Sequence, residues 1–480
     1  MRRIFAPLLV AFLVVGASAA AVSSAGPPGA DITRGTPSEV AGSLNIGGDA
    51  HISSISCPSD GNCVAGGDYL DGSKHEQAFV VDEVNGVWKP ASEVAGLFNT
   101  GGHAQINSIS CPSDGDCIAA GSYSEGPGQF QAFVVDEVGG VWKPAGKVAA
   151  SLNTAGLAAT QSVSCPSDGN CVAGGSYRDG SQHFQAFLVD EVEGVWKPPR
   201  EVAGSLNAGG YAQINSVSCP SDGNCGAGGY YTDGFKHQQA FFVDEVGGVW
   251  KSPREVAGSL NAGSYAQINS VSCPSDDNCG AAGSFTDSFG HSQAFVVDEV
   301  GGVWKPAREV AGSLNTGGIA GISSVSCPSD GNCVVGGSYR DGSGHFQAFV
   351  VDEVEDVWTP SREIAGSLNT GGYAQINSVS CPPDGDCVAG GSATDGSGHT
   401  QAFVVDKIGD VWKPAREVAR SLNTGDDAWT QSISCPPDGN CVAGGYYTDS
   451  SNHQQAFVVN DGRSLPPAPS PSAPTSGRGP

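Results

Sequence analysis

The sequence predicts an all-β protein, an eight-bladed β-propeller of four-stranded antiparallel blades, and three observations support this fold class. Cysteine pairs recur eight times with a period of 54 residues, which is typical of a repeat architecture. Glycine is abundant, at 70 of 480 residues, and charged residues make up only 15%, which favours turns and strands over helices. The last repeat lacks one strand, and a matching segment precedes the first repeat.

The first half of each repeat is predicted to form a β-hairpin, described here for the second repeat. Residues 106–111 alternate apolar and polar side chains, as a half-buried strand does. Residues 112–116 form a turn in which Gly115 can adopt a positive φ, and residues 117–123 return as the second strand. This hairpin places Cys111 opposite Cys117.

The second half of each repeat supplies two further strands. Residues 131–135 form a nearly continuous apolar run, as expected for a strand covered on both faces. Residues 136–140 turn the chain, and residues 141–148 form the fourth strand. Because Pro144 cannot donate a backbone hydrogen bond, we expect this strand at the outer edge. Four short strands per repeat, from innermost to edge, are typical of a propeller blade.

The ring is predicted to close through an N-terminal strand. The last repeat ends after its third strand, and residues 36–42 match residues 90–96 at the 54-residue offset. These residues therefore supply the missing fourth strand of the eighth blade. Arg34 stands where the other repeats carry a tryptophan.

Each cysteine pair predicts a disulfide within one hairpin, although spacing alone does not establish the connectivity. The pairs are Cys57/Cys63, Cys111/Cys117, Cys165/Cys171, Cys219/Cys225, Cys273/Cys279, Cys327/Cys333, Cys381/Cys387 and Cys435/Cys441.

The two ends of the chain predict a secreted, extracellular protein. Residues 1–21 combine Arg2 and Arg3, an apolar run and small residues, as a signal peptide does. The arginine pair leaves the general secretory and twin-arginine routes both open. The propeller is assigned to residues 32–460, and residues 461–480 form a Pro/Ser-rich tail that is expected to be disordered.

The net charge of −27 argues against nucleic acid as a partner, because the phosphate backbone requires lysine and arginine. The apolar run of the signal is too short to span a bilayer, and we expect no membrane span elsewhere. We also expect a monomer with no cofactor and no metal.

Within each repeat the pattern resembles the kelch motif. Apolar residues lead into Gly66-Gly67, and Val81-Asp82 precedes Trp88 at the kelch spacing. Valine replaces the kelch tyrosine throughout, and kelch repeats normally lack a cysteine pair. The resemblance covers all eight repeats and implies a propeller, a fold that in this family carries both enzymes and binding proteins.

Several recurring residues receive mainly structural interpretations. Asp71 and His75 recur in the loop between the second and third strands, where we expect the aspartate to cap loop amides; a metal or acid–base role is the alternative. The acidic turn residues Asp82 and Glu83 are predicted to be solvated, with calcium ligation as the alternative. Trp88 and its equivalents are predicted to pack between blades.

The candidate ligand-binding residues come from the variable loops between blades, on the face that also carries the loops between second and third strands. A tyrosine followed two residues later by a glutamine offers an aromatic platform beside an amide, which suits a sugar or peptide. Two arginines lie on the same face. The set is Tyr211, Gln213, Tyr265, Gln267, Tyr373, Gln375, Arg178 and Arg340.

The sequence favours a non-catalytic binding or interaction module for an extracellular glycan or protein. Similar blades would present several weak sites and bind multivalent targets with avidity. No catalytic residue is predicted, because each candidate recurs around the ring instead of forming one constellation. The alternatives are a carbohydrate-active enzyme of the galactose-oxidase or sialidase type, and a structural scaffold without a small ligand.

Overall fold

The computed structural model describes residues 35–462, apart from residues 60–61, 113–115, 168, 222, 276–277 and 330. The predicted signal peptide, Arg34 and the chain beyond residue 462 lie outside these residues. In the described part of the chain all regular structure is β, arranged in eight separate sheets. The predicted all-β, eight-bladed propeller is therefore confirmed.

The strands are numbered in chain order. Blades 1 to 4 contain β2 (Ala50–Ser56), β3 (Val64–Leu70), β4 (Glu76–Val84), β5 (Val87–Trp88), β6 (Ser92–Val94); β7 (Ala104–Ser110), β8 (Ile118–Gly126), β9 (Gln129–Asp136), β10 (Gly146–Lys147); β11 (Ala158–Ser164), β12 (Val172–Arg178), β13 (Phe184–Val192), β14 (Val195–Trp196), β15 (Arg200–Val202); β16 (Ala212–Ser218), β17 (Gly226–Thr232), β18 (Gln238–Asp244) and β19 (Arg254–Val256). Blades 5 to 8 contain β20 (Ala266–Ser275), β21 (Asn278–Thr286), β22 (Ser292–Val300), β23 (Val303–Trp304), β24 (Arg308–Val310); β25 (Ala320–Ser326), β26 (Val334–Arg340), β27 (Phe346–Val354), β28 (Val357–Trp358), β29 (Arg362–Ile364); β30 (Ala374–Ser380), β31 (Val388–Thr394), β32 (Thr400–Ile408), β33 (Val411–Trp412), β34 (Arg416–Glu417); β35 (Ala428–Ser434), β36 (Asn440–Thr448), β37 (Gln454–Gly462) and β1 (Ser38–Glu39).

The strands of each blade are antiparallel, and in blades 1 to 7 they follow chain order from the centre of the ring to its edge. In blade 1, β2 pairs with β3 and β3 pairs with β4. First strands of adjacent blades contact one another, as β2 and β7 do, which places them around the central channel.

The fourth strand is interrupted, which corrects the prediction of one continuous edge strand. In blade 1, β5 pairs with the end of β4, whereas β6 pairs with its middle. Pro90 lies between the two pieces. Proline has no backbone N–H to donate, so the ladder breaks at this point.

A ring of serine hydroxyls joins the first strands. The backbone N–H groups of Ile109 and Cys111 in blade 2 donate to Ser54 Oγ and Ser56 Oγ of blade 1, each at 2.9 Å. The same pair of contacts joins every other pair of neighbouring blades. It also joins blade 8 to blade 1, where Ile55 N–H donates to Ser432 Oγ at 3.0 Å. These contacts satisfy polar groups along the channel and close the circle.

The N-terminal strand completes blade 8, as predicted. Strand β1 pairs antiparallel with β37, with Ser38 opposite Val458 and Glu39 opposite Phe457. The sheet order is β1-β37-β36-β35, which gives blade 8 its four strands from both ends of the chain.

All eight cysteine pairs form the predicted disulfides within their hairpins, and no cysteine is free. These hairpins lie at one end of the channel, which is called the disulfide face below. The loops between second and third strands and between blades lie at the opposite end, called the loop face. Eight disulfides are typical of an oxidising, extracellular environment.

The second cysteine of each disulfide belongs to the apolar core. Each packs in the cluster of buried side chains that its blade forms with the preceding blade, because the second strand that it opens is covered on both faces. These sulfurs hold the hairpin together from inside and offer no surface to a ligand. Exposure is only 1–2% at Cys63, Cys117, Cys171, Cys225, Cys387 and Cys441, and it reaches 8% at Cys279 and 5% at Cys333.

The rest of the apolar core also lies between blades. One buried cluster joins Ala78 and Val80 of blade 1 to Ile106 and Phe133 of blade 2, and the other interfaces repeat this arrangement. Trp142 reaches the neighbouring blade through the bond from Nε1 to Asp82 Oδ1, 3.0 Å long. The tryptophans therefore pack between blades, as predicted.

The acidic pair at the end of each third strand is not a solvated turn, which corrects the prediction. Asp82 accepts the tryptophan bond from the next blade, and Glu83 is only 3% exposed. The local sequence is typical of a solvent-exposed acidic turn, but in the structure the adjacent blade covers these side chains. Burial raises the pKa of both carboxyl groups.

Candidate functional site

The loop face is held together by a repeated polar network that includes the recurrent aspartate. Asp71 Oδ1 accepts hydrogen bonds from the backbone N–H groups of Ser73 and His75, at 2.7 and 2.9 Å. Gln77 Nε2 donates to Asp71 Oδ2 at 3.3 Å. The aspartate therefore caps its loop as expected. In the part of the chain that the structure describes, no group of His, Cys, Asp and Glu side chains could hold a metal ion.

An asparagine in each loop between blades locks this network to the next blade. Asn99 Nδ2 donates to Glu76 O and Gln77 Oε1, both at 2.8 Å, and Asn99 Oδ1 accepts from His103 N–H at 2.8 Å. The glutamine that opens the third strand thus bonds the neighbouring loop. These repeated residues support the loops and leave ligand contacts to the side chains that vary.

The variable side chains lie at the mouth of the central channel on the loop face. Tyr211 and Tyr373 form parallel bridges with Phe184 and Phe346, which start the third strand of the preceding blade. Tyr211 and Tyr265 are each 39% exposed. The three predicted tyrosines therefore occupy equivalent positions where a first strand enters the channel.

The predicted glutamines lie along the channel and form hydrogen bonds with neighbouring side chains of their own strand. Tyr265 Oη donates to Gln267 Oε1 at 2.9 Å, and Gln267 Nε2 donates to Asn269 Oδ1 at 2.6 Å. Asn269 Nδ2 in turn donates to the backbone oxygen of Ile322 in the next blade at 2.7 Å. The structure places Tyr265 and Gln267 side by side, and the amide nitrogen of Gln267 already donates one hydrogen bond along its strand.

Gln375 makes the same contacts with Tyr373 and Asn377, and Gln213 donates to Asn215 at 2.8 Å. Tyr211 and Tyr265 are exposed, whereas their glutamines are partly buried, so the tyrosine rings offer more surface to a ligand.

The two predicted arginines end the second strands of blades 3 and 6 and lie on separate sectors of the mouth. The Arg178 guanidinium lies 5.8 Å from the centre of the Phe184 ring, and that ring lies 4.8 Å from Tyr211. Tyr211 stacks on Tyr230 at 5.7 Å. Arg340 Nε donates to Gly344 O at 3.1 Å, so this guanidinium is held by its own loop.

A unique cluster lies where blade 8 meets blade 1, and it was not predicted from the sequence. His51 Nε2 lies 2.7 Å from Gln454 Oε1 and 3.2 Å from Asp49 Oδ1. His51 Nδ1 lies 3.5 Å from Asp68 Oδ2. Burial lowers the pKa of His51, but its contacts with Asp68, Gln454 and Asp49 outweigh this and raise the pKa overall.

Aromatic rings continue this cluster across blades 7 and 8. The Tyr373 ring lies 6.1 Å from Trp429, and Trp429 stacks on Tyr446 at 6.4 Å with 13° between the ring planes. Tyr446 meets His51 edge-on at 4.6 Å. These four rings form a continuous row over three blades, and together with Asp49, Asp68 and Asp427 they are called the closure site.

Carboxylates flank the row. Burial, with the charges of Asp427 and Asp49, raises the pKa of Tyr446 to about 12. Within the described residues, Asp49 and Asp68 form ion pairs with His51 and with no lysine or arginine. Their oxygens can therefore accept hydrogen bonds from a ligand.

The closure site can offer aromatic rings and acceptor oxygens to a ligand, but its histidine is poorly arranged for acid–base chemistry. Both ring nitrogens of His51 face acceptors, so the imidazole holds carboxylates in place instead of offering a free base. Aromatic rings beside acceptor oxygens match the two sides of a sugar, whose C–H faces pack on rings and whose hydroxyls donate hydrogen bonds.

The sequence does contain a signal for this site, namely departure from the repeat. Where other blades carry Gln, Ala or Gly, blades 1 and 8 carry His51 and Trp429. Where five of the other blades carry serine, blades 1 and 8 carry Asp68 and Tyr446, and blade 4 carries Tyr230. What the sequence does not show is that the two ends of the chain bring these residues together.

Comparisons with known proteins show similarity at the level of structure only. No family model and no curated protein match the chain, so the kelch resemblance is not confirmed. A crystal structure of a protein of unknown function from Dyadobacter fermentans DSM 18053 is 12% identical, with a TM-score of 0.42, over 90% of this chain and 98% of that one.

Two other similar structures are enzymes by description. Hadza microbial sialidase Hz136 is 13% identical, with a TM-score of 0.41, over 81% of this chain and 73% of that one. An ulvan lyase of a polysaccharide lyase family is 9% identical, with a TM-score of 0.43, over 90% of this chain and 96% of that one. At these identities neither activity is transferred to this chain. No helix in the described residues is long and apolar enough to cross a membrane.

Proposed function

We propose that this protein is a secreted, monomeric binding module that takes a glycan at the closure site without cleaving it. The observation that carries the proposal is the row of rings from Tyr373 through Trp429 and Tyr446 to His51. The row lies on the loop face, where the side chains at the start of the first strands vary from blade to blade. Variable side chains on a rigid scaffold are where binding function is most often found.

The contacts on either side of the row suit a neutral or cationic sugar. Trp429 and Tyr373 supply ring faces for the apolar side of a pyranose, and Asp427 is exposed beside them. The ring of Tyr446 and the carboxylate of Asp49 adjoin the same space, because both contact His51. An anionic sugar is disfavoured, because these carboxylates lack a lysine or arginine partner within the described residues.

The second group of aromatic residues supports a weaker, additional contact. Tyr211 and Tyr265 lie on blades 4 and 5, across the mouth from the junction of blades 8 and 1. A glycan with several copies of one epitope could engage both groups, and the second contact would raise its avidity.

A glycan array with the folded protein tests the proposal, followed by titration of the best ligand. Trp429→Ala should weaken binding at least about tenfold, the loss expected when one aromatic stacking partner is removed. Tyr265→Ala should leave a monovalent ligand unaffected and weaken only multivalent ligands. Leu157→Ala, at the start of blade 3 in the repeat position of Tyr265, is the matched control.

Three results would reject the proposal. A blank array would favour a scaffold or protein-binding role, and release of a cleaved sugar would favour an enzyme. Equal losses for Trp429→Ala and Leu157→Ala would show that the closure site is not the binding site.

A further inference from the structure

The disulfide face carries a second set of variable contacts, where the third strands of neighbouring blades meet. Each third strand ends with two acidic residues or their replacements. In chain order these pairs are Asp82-Glu83, Asp136-Glu137, Asp190-Glu191, Asp244-Glu245, Asp298-Glu299, Asp352-Glu353, Asp406-Lys407 and Asn460-Asp461.

The second residue of a pair faces the first residue of the preceding blade. The charge of Asp82 raises the pKa of Glu137, and that of Asp136 raises the pKa of Glu191, in both cases after the larger effect of burial. Two carboxyl groups are therefore forced together at these interfaces, in surroundings that disfavour their charge.

Blade 7 shows which chemical group relieves the repulsion between the two carboxyl groups. There the glutamate is replaced by Lys407, whose Nζ lies 3.1 Å from Asp352 Oδ1 of blade 6, with both side chains largely buried. At the junction of blades 8 and 1, Asn460 Nδ2 donates to Glu83 Oε1 at 2.6 Å. The chain thus places an ammonium or an amide donor where the other interfaces hold two acids.

In blades 3 and 4 an arginine neutralises part of the negative charge by pairing with the first acid of the pair, but blades 1 and 2 have no arginine at this position. Arg200 and Arg254 lie 2.5 and 2.9 Å from Asp190 and Asp244 of their own blades. The equivalent positions in blades 1 and 2 are Ser92 and Gly146. Among the described residues, Asp82 and Asp136 therefore lack this partner and accept only the tryptophan hydrogen bond.

A cavity of about 390 Å³ opens between blades 2 and 3 at this point. Among the described residues of its lining, the charged ones are all carboxylates, from Asp116, Asp136, Glu137, Glu191 and Glu193. Glu137 and Glu191 are 5% and 6% exposed. Their carboxyl groups accept no hydrogen bond from the residues that the structure describes. Two nearly buried acceptors without donors thus line a space large enough for a small molecule.

We propose that this cleft between blades 2 and 3 binds a protonated primary amine, whose ammonium group pairs with Asp136 and Glu191 much as Lys407 Nζ pairs with Asp352. The amine is either a free diamine or the side chain of a lysine on a partner. An ammonium provides three donors in a compact charge, which suits two or three converging carboxylates. The site is independent of the closure site, which lies on the opposite face.

Calorimetric titration at pH 8 and low salt tests the proposal with two probes. Cadaverine represents the free amine, and N-acetyl-lysine amide represents a lysine side chain. N-acetyl-norleucine amide, which lacks the ammonium, is the matched control and should give no binding. Saturable binding of either amine, weakened by salt, is expected, and the better probe identifies the source.

Glu191→Lys is the decisive variant, because it copies the arrangement of blade 7. It should fold with equal or greater stability and bind amine at least tenfold more weakly. Glu355→Lys, an exposed change of the same charge in blade 6, should bind as the original chain does. Lowering the pH from 8 to 5 should also weaken binding, as Glu137 and Glu191 take up protons beside Asp82, Asp116, Asp136 and Glu193.

Absence of amine binding at pH 8 would overturn the proposal. So would unchanged affinity in Glu191→Lys, or a response to Ca²⁺ or Mg²⁺ without any response to amines.

Discussion

The hydroxyl of Tyr447 donates a 2.6 Å hydrogen bond to Glu39 Oε2, a residue 408 positions earlier in the chain. Tyr69 makes the same bond to Glu93 within blade 1, at 2.5 Å. Tyr231 and Glu255 repeat it in blade 4, at 2.6 Å. Glu39 therefore serves blade 8 as Glu93 serves blade 1, and the contact ties the N-terminal strand to the last repeat.

Glu39→Ala should loosen the closure of the ring. A hydrogen bond to a charged group contributes about 2 kcal/mol, so the free energy of unfolding should fall by about that amount. The segment around β1 should also become sensitive to protease under native conditions, since its backbone is joined to β37 by two residue pairs and one further hydrogen bond, from Val40 N–H to Ala456 O. Denaturant titration and limited proteolysis measure the two effects.

Glu93→Ala is the matched control for this change. It removes the same contact from β6, which follows the other strands of its own blade directly in the chain. The free energy of unfolding should therefore fall without new proteolysis near β1. Equal protease resistance of Glu39→Ala and the original chain would contradict the role of Glu39 in closure.

Trp142→Phe should destabilise the protein by about 1–2 kcal/mol, because it leaves the partly buried carboxylate of Asp82 without its donor. The ring itself, which packs between blades, is largely retained. Trp304→Phe is the control, since the buried Trp304 Nε1 has no hydrogen-bond partner within the described residues. This second substitution should cost clearly less in a chemical unfolding experiment, and an equal loss would mean that packing alone explains the repeated geometry.

The second glycine of each Gly-Gly pair should be intolerant of any side chain. A Cβ on Gly67 would lie 1.9 Å from the backbone oxygen of His51, and backbone cannot move aside easily. A Cβ on Gly66 would meet the end of the Ile109 side chain at 2.7 Å, and two blades already carry alanine there, as Ala120 and Ala282.

Gly67→Ala should therefore cost about 3 kcal/mol, at the upper end for overpacking, and Gly66→Ala clearly less. Thermal unfolding of the two variants gives the comparison. The expectation fails if both variants melt at the same temperature.

The buried glutamates of the disulfide face should make stability fall as pH rises from 5 to 8. Burial, followed by the charge of a neighbouring aspartate, raises the pKa of Glu137, Glu191 and Glu245 to about 7 and that of Glu353 to about 8. The value in an unfolded chain is 4.5, so the folded state binds these protons more tightly. The stability they contribute is complete below pH 4.5 and is lost as pH rises through 7 to 8.

Urea titrations at pH 5, 6, 7 and 8 in a buffer free of amines measure this dependence. Replacing Glu137, Glu191 and Glu245 together by glutamine should flatten the curve, because glutamine does not titrate. A slope that persists unchanged in this variant would assign the pH dependence to other groups.

Local sequence pattern predicted most of the fold. The alternating residues 106–111 became β7, and the match of residues 36–42 to residues 90–96 correctly placed β1 beside β37. The cysteine spacing correctly paired Cys111 with Cys117, because a short hairpin leaves each cysteine one near neighbour. These features depend on contacts within one repeat or on a repeat offset that is visible in the sequence.

The candidate site was predicted only in part. Tyr211, Tyr265 and Tyr373 do lie at the channel mouth, but their glutamines turned out to be engaged along the strand. The closure site was missed because His51 and Trp429 belong to opposite ends of the chain, and their repeat positions looked like ordinary variation.

The sequence by itself determined the number of blades, the strand order and the strand that closes the ring, and it correctly predicted the disulfide pairing that the structure establishes. The tertiary structure decided which side chains lose water and which meet across blades. From the sequence, Glu137 is predicted to be an exposed turn residue, but the preceding blade buries it. His51 contacts Tyr446 only because the ring closes. The reason is physical: periodicity encodes hydrogen bonding within a repeat, whereas burial and charge proximity depend on the neighbour that packs against it.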